Sequence, residues 1–228
     1  YQVILARNGE EGLRKANEEK PDLVVSDVMM PLMSGMEMCM KIKNNIDLCH
    51  IPVVLLTALD SVEYNIEGLQ QGADDYISKP FHAKVLLMRC NNLIRNRLLL
   101  KSQLTKQVDF DVQLLATTSL DQQLLNRIVE IVDQRMGEPD FDVNALAREL
   151  NMGRSSFFTK VKNLTGMTPS EFMQNQRINR AATLLREQPD LLVNEISDRL
   201  GFSSTVYFSR CFKAKFGVSP AQFRKKEQ

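Results

Sequence analysis

The chain has 228 residues, 43% of them apolar and 25% charged, with a net charge of +1, a mixture normal for a globular protein with one large or two ordinary domains. Its uncharged apolar stretches are far shorter than the roughly 20 residues that a membrane-spanning helix needs, and we expect this part of the protein to be cytoplasmic. Four cysteines without metal-type spacing and only two histidines give little support to a zinc site or a histidine-based triad.

Short β-branched segments alternate with helical segments up to about residue 100, a pattern typical of a parallel sheet with crossover helices. The predicted strands are Val3–Ala6, Leu23–Ser26, Val53–Leu56 and Asp75–Ile77. The predicted helices are Gly9–Glu19, Gly35–Asn44, Ser61–Gln71 and one that begins near His82. The first half is therefore predicted to be a doubly wound α/β domain.

Three of these strands run into residues of unusual chemistry, namely Asp27, Thr57 and Lys79. Ligands of open α/β sheets collect at the carboxyl ends of the strands, where a carboxylate, a hydroxyl and an ammonium would meet. Such a trio suits a phosphoryl group: Asp27 attacks phosphorus, Thr57 bonds a phosphoryl oxygen and Lys79 pairs with its charge. Taken singly, a strand-end aspartate caps a turn more often than it reacts.

Residues 1 to about 95 resemble the receiver domain of bacterial two-component response regulators. The resemblance is carried by the segments Asp22–Pro31, Met33–Gly35, Ile51–Ala58 and Gly72–Phe81. It implies that Asp27 is the phosphoacceptor, that Thr57 and Lys79 bind the phosphoryl group, and that the bond between Lys79 and Pro80 is cis.

The same resemblance assigns two further roles. Tyr76 matches the aromatic switch of the family, although it would also be explained by packing on the edge of the sheet. The carbonyl of Met29, together with Asp27, matches the positions that ligate Mg²⁺. Mg²⁺ is therefore the implied cofactor, provided that an acidic pair from the first strand of a receiver is present.

That first strand, its acidic pair and the first helix have no counterpart in this sequence. In the strand order 2-1-3-4-5 the missing strand would lie between Val3–Ala6 and Leu23–Ser26, so neither would have its ladder partner. We therefore expect poor Mg²⁺ binding and incomplete folding of this half. The chain is then either a fragment of a longer protein or a truncated docking module that is not phosphorylated.

The helix that begins near His82 carries Leu86, Leu93 and Leu100 at heptad spacing, which favours pairing with a second copy. Packing on the sheet followed by a frayed linker explains the pattern equally well. A loop is expected from Val108 to about Ser119, and a helix at about Leu120–Arg135. The predicted regions are a receiver fragment at 1–97, a helical extension and linker at 98–119, and a C-terminal domain at 120–228.

A helix-turn-helix unit occurs twice in this C-terminal domain. Matching residues of the two copies are 50 positions apart in the first helix and 51 positions apart after the turn. The matched positions are Leu146, Leu150, Phe157, Val161, Gly166, Thr168, Pro169 and Phe172 in one copy and Ile196, Leu200, Phe208, Phe212, Gly217, Ser219, Pro220 and Phe223 in the other. Residues 151–228 hold 13 basic and 6 acidic residues, as neutralisation of phosphates requires. The repeat predicts an all-α domain that binds double-stranded DNA, the alternative being a merely solvated helical surface.

Cap chemistry sets the predicted helix ends. Asp142 caps a predicted helix at Asn144–Leu150, the first helix of the first copy, and Asn151 is the left-handed residue that ends it. Thr168 caps a joining helix at Pro169–Glu187, about 28 Å long, close to the roughly 34 Å between successive major grooves. The joining helix is therefore predicted to hold both copies on one duplex.

Residues 120 to 225 resemble the AraC/XylS-type DNA-binding domain, most specifically through Glu195–Ile196, Leu200–Ser203, Tyr207–Lys213 and Phe216–Pro220. The resemblance implies that the second helix of each copy enters a major groove. The predicted DNA contacts are Arg154, Ser155, Ser156, Thr159, Lys160, Lys162, Thr205, Val206, Ser209, Arg210 and Lys213. Arg210 is the predicted base reader, since a guanidinium can bond a guanine edge twice, and Lys160, Lys162 and Lys213 are predicted phosphate contacts.

Two other positions in this domain leave questions open. Phe158 either contacts a thymine methyl group or covers its own domain. Leu192 stands where the family usually places a capping serine or threonine.

Together these features predict a non-enzymatic transcription regulator controlled by aspartyl phosphorylation. Its expected partners are DNA, a histidine kinase in cis or in trans, a second copy of the chain and RNA polymerase. One alternative is a receiver that docks or dimerises without phosphorylation. Another is the cytoplasmic end of a membrane-anchored hybrid sensor that includes a histidine kinase. A flavodoxin-like enzyme is disfavoured because the first half has no glycine-rich phosphate loop.

Overall fold

A computed structural model of the chain describes residues 1–58, 72–107, 110–138 and 140–227. They fall into two compact units, the first from Tyr1–Leu99 with Ala116–Gln122 and the second from Leu100–Leu115 with Gln123–Gln228. The residues of the predicted linker are thus divided between the two units. No helix in the described ranges is long and apolar enough to cross a membrane.

The first unit is an α/β arrangement around a parallel sheet. Its strands are β1 (Val24–Asp27), β2 (Val53–Ala58) and β3 (Asp75–Lys79), in the order β1-β2-β3. Its helices are α1 (Gly9–Glu19), α2 (Gly35–Lys43) and most of α3 (Ala83–Lys106). These elements confirm the predicted α/β class, and the predicted helix Ser61–Gln71 lies outside the described residues.

The predicted strand Val3–Ala6 is wrong. The segment has no strand pairing, and Val3 and Leu5 expose 71% and 77% of their surface. Among the described strands β1 is at the edge of the sheet, so nothing described beside it supplies the hydrogen bonds that an additional strand requires.

A buried lysine ties α2 to the beginnings of β2 and β3. The Lys43 ammonium donates to the carbonyl oxygens of Cys49 (3.4 Å) and Ile51 (2.9 Å) and to the carboxylate of Asp74 (2.6 Å). Asp74 also accepts a hydrogen bond from the amide of Val53 (2.8 Å). Because Asp74, next to β3, bonds both Lys43 and the first residue of β2, the cluster fixes the register of the two strands. Removing one partner of such a buried ion pair typically costs about 3–5 kcal/mol.

The segment Ala116–Gln122 is fastened within the first unit by polar contacts. Asp121 is fully buried and accepts hydrogen bonds from the thiol of Cys49 (3.3 Å) and the hydroxyl of Thr117 (3.1 Å). Arg97 donates to the same hydroxyl (2.9 Å). Residues that the sequence predicted to be loop or linker therefore belong to a packed structure.

The described part of the second unit is helical, as predicted. A short 3-10 helix at Val112–Leu115 is followed by α4 (Ser119–Arg135), whose first turn is part of the first unit. The remaining helices are α5 (Val143–Glu149), α6 (Arg154–Thr165), α7 (Pro169–Glu187), α8 (Val193–Arg199), α9 (Thr205–Phe216) and α10 (Pro220–Glu227). The end of α3 packs here as well, because Leu104 is buried and its carbonyl accepts a hydrogen bond from the side-chain amide of Asn175 on α7 (3.5 Å). Helix α7 has the predicted bounds.

Two capping boxes begin α7 and α10. The hydroxyl of Thr168 accepts from the amide of Glu171 (3.3 Å), whose carboxylate accepts from the amide of Thr168 (2.8 Å). Ser219 and Gln222 make the same reciprocal pair at α10 (3.3 and 3.1 Å). Because this chemistry is local, it could be recognised in the sequence.

Candidate phosphoryl site and candidate nucleic-acid interface

The carboxyl ends of the three strands bring Asp27 and Lys79 together. The ammonium of Lys79, the last residue of β3, donates to the carboxylate of Asp27, the last residue of β1. Their side chains remain 42% and 40% exposed, so a ligand can approach the pair from solvent. The peptide bond between Lys79 and Pro80 is cis, as the receiver resemblance implied.

Thr57 lies next to this pair on β2, but its hydroxyl is engaged elsewhere. The side chain is buried, and its hydroxyl donates to the carbonyl of Ala58 (3.2 Å). Of the three predicted phosphoryl-site residues, the structure therefore joins Asp27 and Lys79 directly. Thr57 would have to exchange its own-strand hydrogen bond for one to a phosphoryl oxygen.

The environment of Asp27 favours its ionised form. Partial burial opposes ionisation, but hydrogen bonds from Lys79 and from the amides of Met29 and Val28 outweigh it, and the pKa of Asp27 lies below its usual value. The amide of Met29 is 3.4 Å from the carboxylate. At neutral pH Asp27 is therefore a carboxylate with a nucleophilic oxygen held at the open edge of the sheet.

Tyr76 points its hydroxyl into the protein. Its ring packs against the core of the first unit, and its buried hydroxyl has no hydrogen-bond partner among the described residues. Burial, together with nearby Cys39 and Asp74, raises the pKa of Tyr76 to about 12. The ring thus occupies an inward position, and a role as a switch stays a prediction.

The described residues alone do not fit a magnesium ion at this edge. Mg²⁺ requires near-octahedral oxygen ligands, usually including one or two carboxylates. Asp27 is already paired with Lys79, and no group of three or more acidic, histidine or cysteine ligands occurs in the described ranges. The predicted pair of Asp27 and the Met29 carbonyl is therefore an incomplete ligand set.

Two matched helix-turn-helix repeats lie in the second unit. The first repeat is α5 with α6, and the second is α8 with α9. In both, the turn contains a left-handed residue, Asn151 (φ 53°) or Gly201 (φ 70°). The backbone amide of the residue after it donates a hydrogen bond back to the first helix. In the first repeat Met152 donates to the carbonyl of Ala147 (3.0 Å), and in the second Phe202 donates to the carbonyl of Ser197 (3.1 Å). Equal bonds 50 residues apart confirm that the repeat in the sequence is a repeat in the structure.

Helices α6 and α9, here called the reading helices, each bury an apolar face. Phe157, Val161 and Leu164 are buried on α6, and Phe208 and Phe212 on α9. Of the predicted DNA contacts, the exposed ones are Arg154, Ser155, Thr159, Lys162, Val206, Arg210 and Lys213, and the half-buried ones are Ser156, Thr205 and Ser209.

The predicted phosphate contact at Lys160 is wrong. Lys160 is only 1% exposed, on the inward face of α6. Residue 160 follows Phe157 by three positions and precedes Leu164 by four, so the helix period places it among the buried side chains. A backbone phosphate outside the domain cannot reach it.

Sequence reasoning also missed Gln174 and Tyr207. The side-chain amide of Gln174 on α7 donates a hydrogen bond to the hydroxyl of Tyr207 on α9 (3.1 Å). The ring of Tyr207 in turn lies against the guanidinium of Arg210. The three-residue spacing of Tyr207 and Arg210 on one helix was the available signal.

The comparisons with known proteins agree with this geometry. A family profile described as a response regulator receiver domain matches residues 1–91, and one described as a helix-turn-helix domain matches residues 146–226. The chain joins a response regulator receiver domain to an AraC-type helix-turn-helix domain. The predicted family and the predicted order of the two domains are confirmed.

Individual relatives resemble one or both domains. Over 224 residues the receiver and AraC-type domains are 42% identical to "Histidine kinase P4" of Formosa agariphila, covering 98% of this chain and 16% of that protein. "Response regulator MprA" of Mycolicibacterium vanbaalenii is 44% identical over 95 residues, which are 42% of this chain and 40% of that protein. A solved receiver domain of a signal transduction histidine kinase from Syntrophus aciditrophicus is 41% identical, with a TM-score of 0.40 and coverage of 42% and 73%. The chain thus spans well under half the length of both curated relatives.

Proposed function

We propose that the chain is the output end of a two-component system, a sequence-specific DNA-binding transcription regulator controlled by phosphorylation of Asp27. The observation that carries the proposal is the ionised, solvent-accessible Asp27 paired with Lys79 in the same chain as two matched helix-turn-helix repeats. Names of relatives that include response regulators and a histidine kinase support the same function.

The chemistry follows from the charges at the sheet edge. A carboxylate oxygen of Asp27 attacks the phosphorus of a phosphodonor, the bond from phosphorus to the donor breaks, and an acyl phosphate forms. The ammonium of Lys79 then transfers its ion pair from the carboxylate to the new phosphoryl oxygens. The rearranged edge favours a second state of the receiver, in which Thr57 bonds the phosphoryl group and Tyr76 changes rotamer.

The changed receiver surface would either alter dimerisation or release the DNA-binding domain, and of these we infer pairing with a second copy of the chain. Helix α3 exposes apolar side chains, including Met88 (56%) and Leu98 (61%), at positions where an isolated protein would favour polar residues. The predicted heptad leucines Leu86, Leu93 and Leu100 are half-buried, so the neighbouring exposed positions are the better dimer contacts. RNA polymerase is a further partner of the assembled regulator.

A histidine kinase in the same polypeptide is the favoured phosphodonor. The chain aligns over 98% of its own length with a small part, 16%, of a protein named as a histidine kinase. That alignment favours a hybrid protein that contains a kinase as well as the receiver and the regulator. The enzymatic activity would then belong to the kinase part, and the receiver and AraC-type domains would have none of their own.

The phosphorylation step is tested by Asp27→Asn in the full-length protein, which should abolish labelling by a radioactive small phosphodonor. Asp22→Asn is the matched control, since it removes one exposed carboxylate five residues earlier, and it should label normally. Labelling that persists in Asp27→Asn would place the phosphoacceptor elsewhere.

The DNA-binding step is tested by selecting genomic fragments with the purified protein over a salt series. Arg210→Ala should weaken binding to the selected fragments by roughly 1–3 kcal/mol and leave random DNA almost unaffected. Arg127→Ala on α4, an exposed arginine outside the reading helices, should weaken neither. Equal losses on both kinds of DNA would exclude Arg210 as a base reader.

A further inference from the structure

The side chain of Arg210 lies against an aromatic ring on its own helix. Its guanidinium carbon is 5.2 Å from the centroid of the Tyr207 ring, one turn earlier on α9. Tyr207 is 40% exposed, so both groups lie at the outward face of the reading helix. A cation over an aromatic face is attracted by the ring quadrupole, and a planar guanidinium also stacks on it.

The ring that supports Arg210 is itself fixed by the joining helix α7. The side-chain amide nitrogen of Gln174 donates to the Tyr207 hydroxyl (3.1 Å) and to the sulfur of Cys211 (2.7 Å). One amide nitrogen carries two hydrogens, so both bonds can form at once. Residues one turn apart on α9 are thereby connected to a single side chain of the helix that joins the two repeats.

The first repeat has no equivalent arrangement. The positions that match Tyr207 and Arg210 are Ser156 and Thr159, which offer neither an aromatic ring nor a guanidinium. The exposed aromatic ring of α6 is Phe158, and the residue three positions after it is the buried Val161, which carries no charge. The contacts of Gln174, Tyr207 and Arg210 are therefore a special feature of the second reading helix.

We propose that Tyr207 is a positioning residue for Arg210 and that Gln174 fixes Tyr207, so that the guanidinium is held ready for a guanine edge before DNA binds. A free arginine side chain loses much rotamer freedom when it makes two directed hydrogen bonds, and a supported one loses less. The inference rests on the proposed DNA-binding function and names the residues that give Arg210 its specificity.

The test uses the full-length protein and a selected double-stranded fragment in which one guanine at a time is replaced by 7-deazaguanine, which lacks the N7 acceptor. The ratio of the two dissociation constants measures discrimination at each position. Wild type should discriminate by about ten-fold at one guanine, and Arg210→Ala should abolish the difference there. That position is then the readout for Tyr207.

Tyr207→Leu should reduce the discrimination at this guanine by about three-fold or more, with binding to random DNA unchanged. Tyr207→Phe retains the ring and should restore most of it, whereas Gln174→Leu, which frees the ring, should give an intermediate loss. The matched control is Leu192→Ala, which removes an exposed apolar side chain of the second repeat outside the reading helices and should leave this ratio unchanged.

The decisive measurement is Tyr207→Leu in the Arg210→Ala background. If Tyr207 acts through Arg210, the second substitution has no further effect on the ratio or on affinity for the fragment. Additive losses, or a Tyr207→Phe protein as impaired as Tyr207→Leu, would overturn the proposal while leaving sequence-specific binding intact. If no fragment is selected at all, the proposed function fails and this inference fails with it.

Discussion

The two helix-turn-helix repeats have the same backbone turn but different chemistry around it. A left-handed residue ends the first helix of each, Asn151 in one and Gly201 in the other. Both reading helices also end at a left-handed glycine, Gly166 or Gly217. What each repeat buries and what it presents outward nevertheless differ, so the shared backbone frame does not determine the side-chain chemistry built on it.

The interior of the second repeat is built from stacked aromatic rings. Phe202, Phe208, Phe212, Phe216 and Phe223 make successive contacts with ring centroids 4.6 to 5.9 Å apart. The first repeat has aromatic residues at only two of the matching positions, Phe157 and Phe172, and has Met152, Val161 and Thr165 where the second has Phe202, Phe212 and Phe216.

The largest expected difference between the repeats concerns their matched core residues, Phe157 and Phe208, which are both fully buried. Replacing a buried phenylalanine by alanine costs about 3–5 kcal/mol. Phe208 also touches the rings of Phe202 and Phe212, and each aromatic pair adds about 0.5–1.5 kcal/mol. Phe208→Ala should therefore lower the free energy of unfolding more than Phe157→Ala does, as measured by urea titration of the helical circular dichroism. Equal losses would contradict an aromatic contribution to the second repeat.

The next difference is a lysine in place of a core leucine. Lys215 occupies the position that matches the buried Leu164, and its ammonium donates to the side chains of Asn175 (2.5 Å) and Asn179. Burial lowers the pKa of Lys215 to about 8. The second repeat therefore contains a titratable group where the first has none.

This lysine should make stability depend on pH. Its pKa returns towards 10.5 on unfolding, so between about 8 and 10.5 the unfolded chain binds more protons and stability should rise with pH. Lys215→Met should abolish the rise, while Lys213→Met, at an exposed lysine two residues earlier, should retain it. The check is the urea midpoint across this pH range, and a rise that survives in Lys215→Met would assign it to another group.

The smallest expected effect concerns the apolar side chains on the two reading helices. Val206 is 81% exposed at the position that matches Ser155, and Phe158 is 42% exposed at the position that matches Ser209. Each reading helix therefore presents an apolar group, but at a different place. The methyl group of thymine is the apolar feature of the major groove, so we expect the two DNA elements to differ in sequence.

Uracil substitution tests this directly, because it removes only the thymine methyl group. At the thymine that faces Val206, uracil should weaken binding by about 0.8 kcal/mol, roughly four-fold. The Val206→Ala protein should lose most of its sensitivity to uracil at this thymine. Its sensitivity to uracil at the other thymines should be unchanged. Identical uracil profiles for the two proteins would show that Val206 faces no thymine.

Features that depend on neighbouring residues in the chain were predictable from the sequence. The beginning of α7 follows from the capping box at Thr168, and the end of α5 follows from Asn151. The pairing of Asp27 with Lys79 was also predictable, because parallel strands carry their ends to one edge of a sheet.

Features that depend on a distant partner were not predictable in this way. The segment Val3–Ala6 has the composition of a strand, but no described strand lies beside it. The support of Arg210 by Tyr207 and Gln174 requires a specific approach of α7 to α9, which pattern reasoning cannot supply. The burial of Lys160 was partly predictable. Its spacing from Phe157 and Leu164 indicated the buried face of the helix, whereas its charge suggested an exposed position.

The fixed length of α7 also sets a phase between the two reading helices. One residue inserted into α7 would add only about 1.5 Å but would turn everything after it by about 100°. Two whole turns, about seven residues, would restore the rotation but shift the second reading helix by about 10 Å, roughly a third of a DNA turn. Under the proposed function, rotation and distance cannot both be corrected by changing the length of α7. The length of α7 therefore constrains the spacing of the two DNA elements.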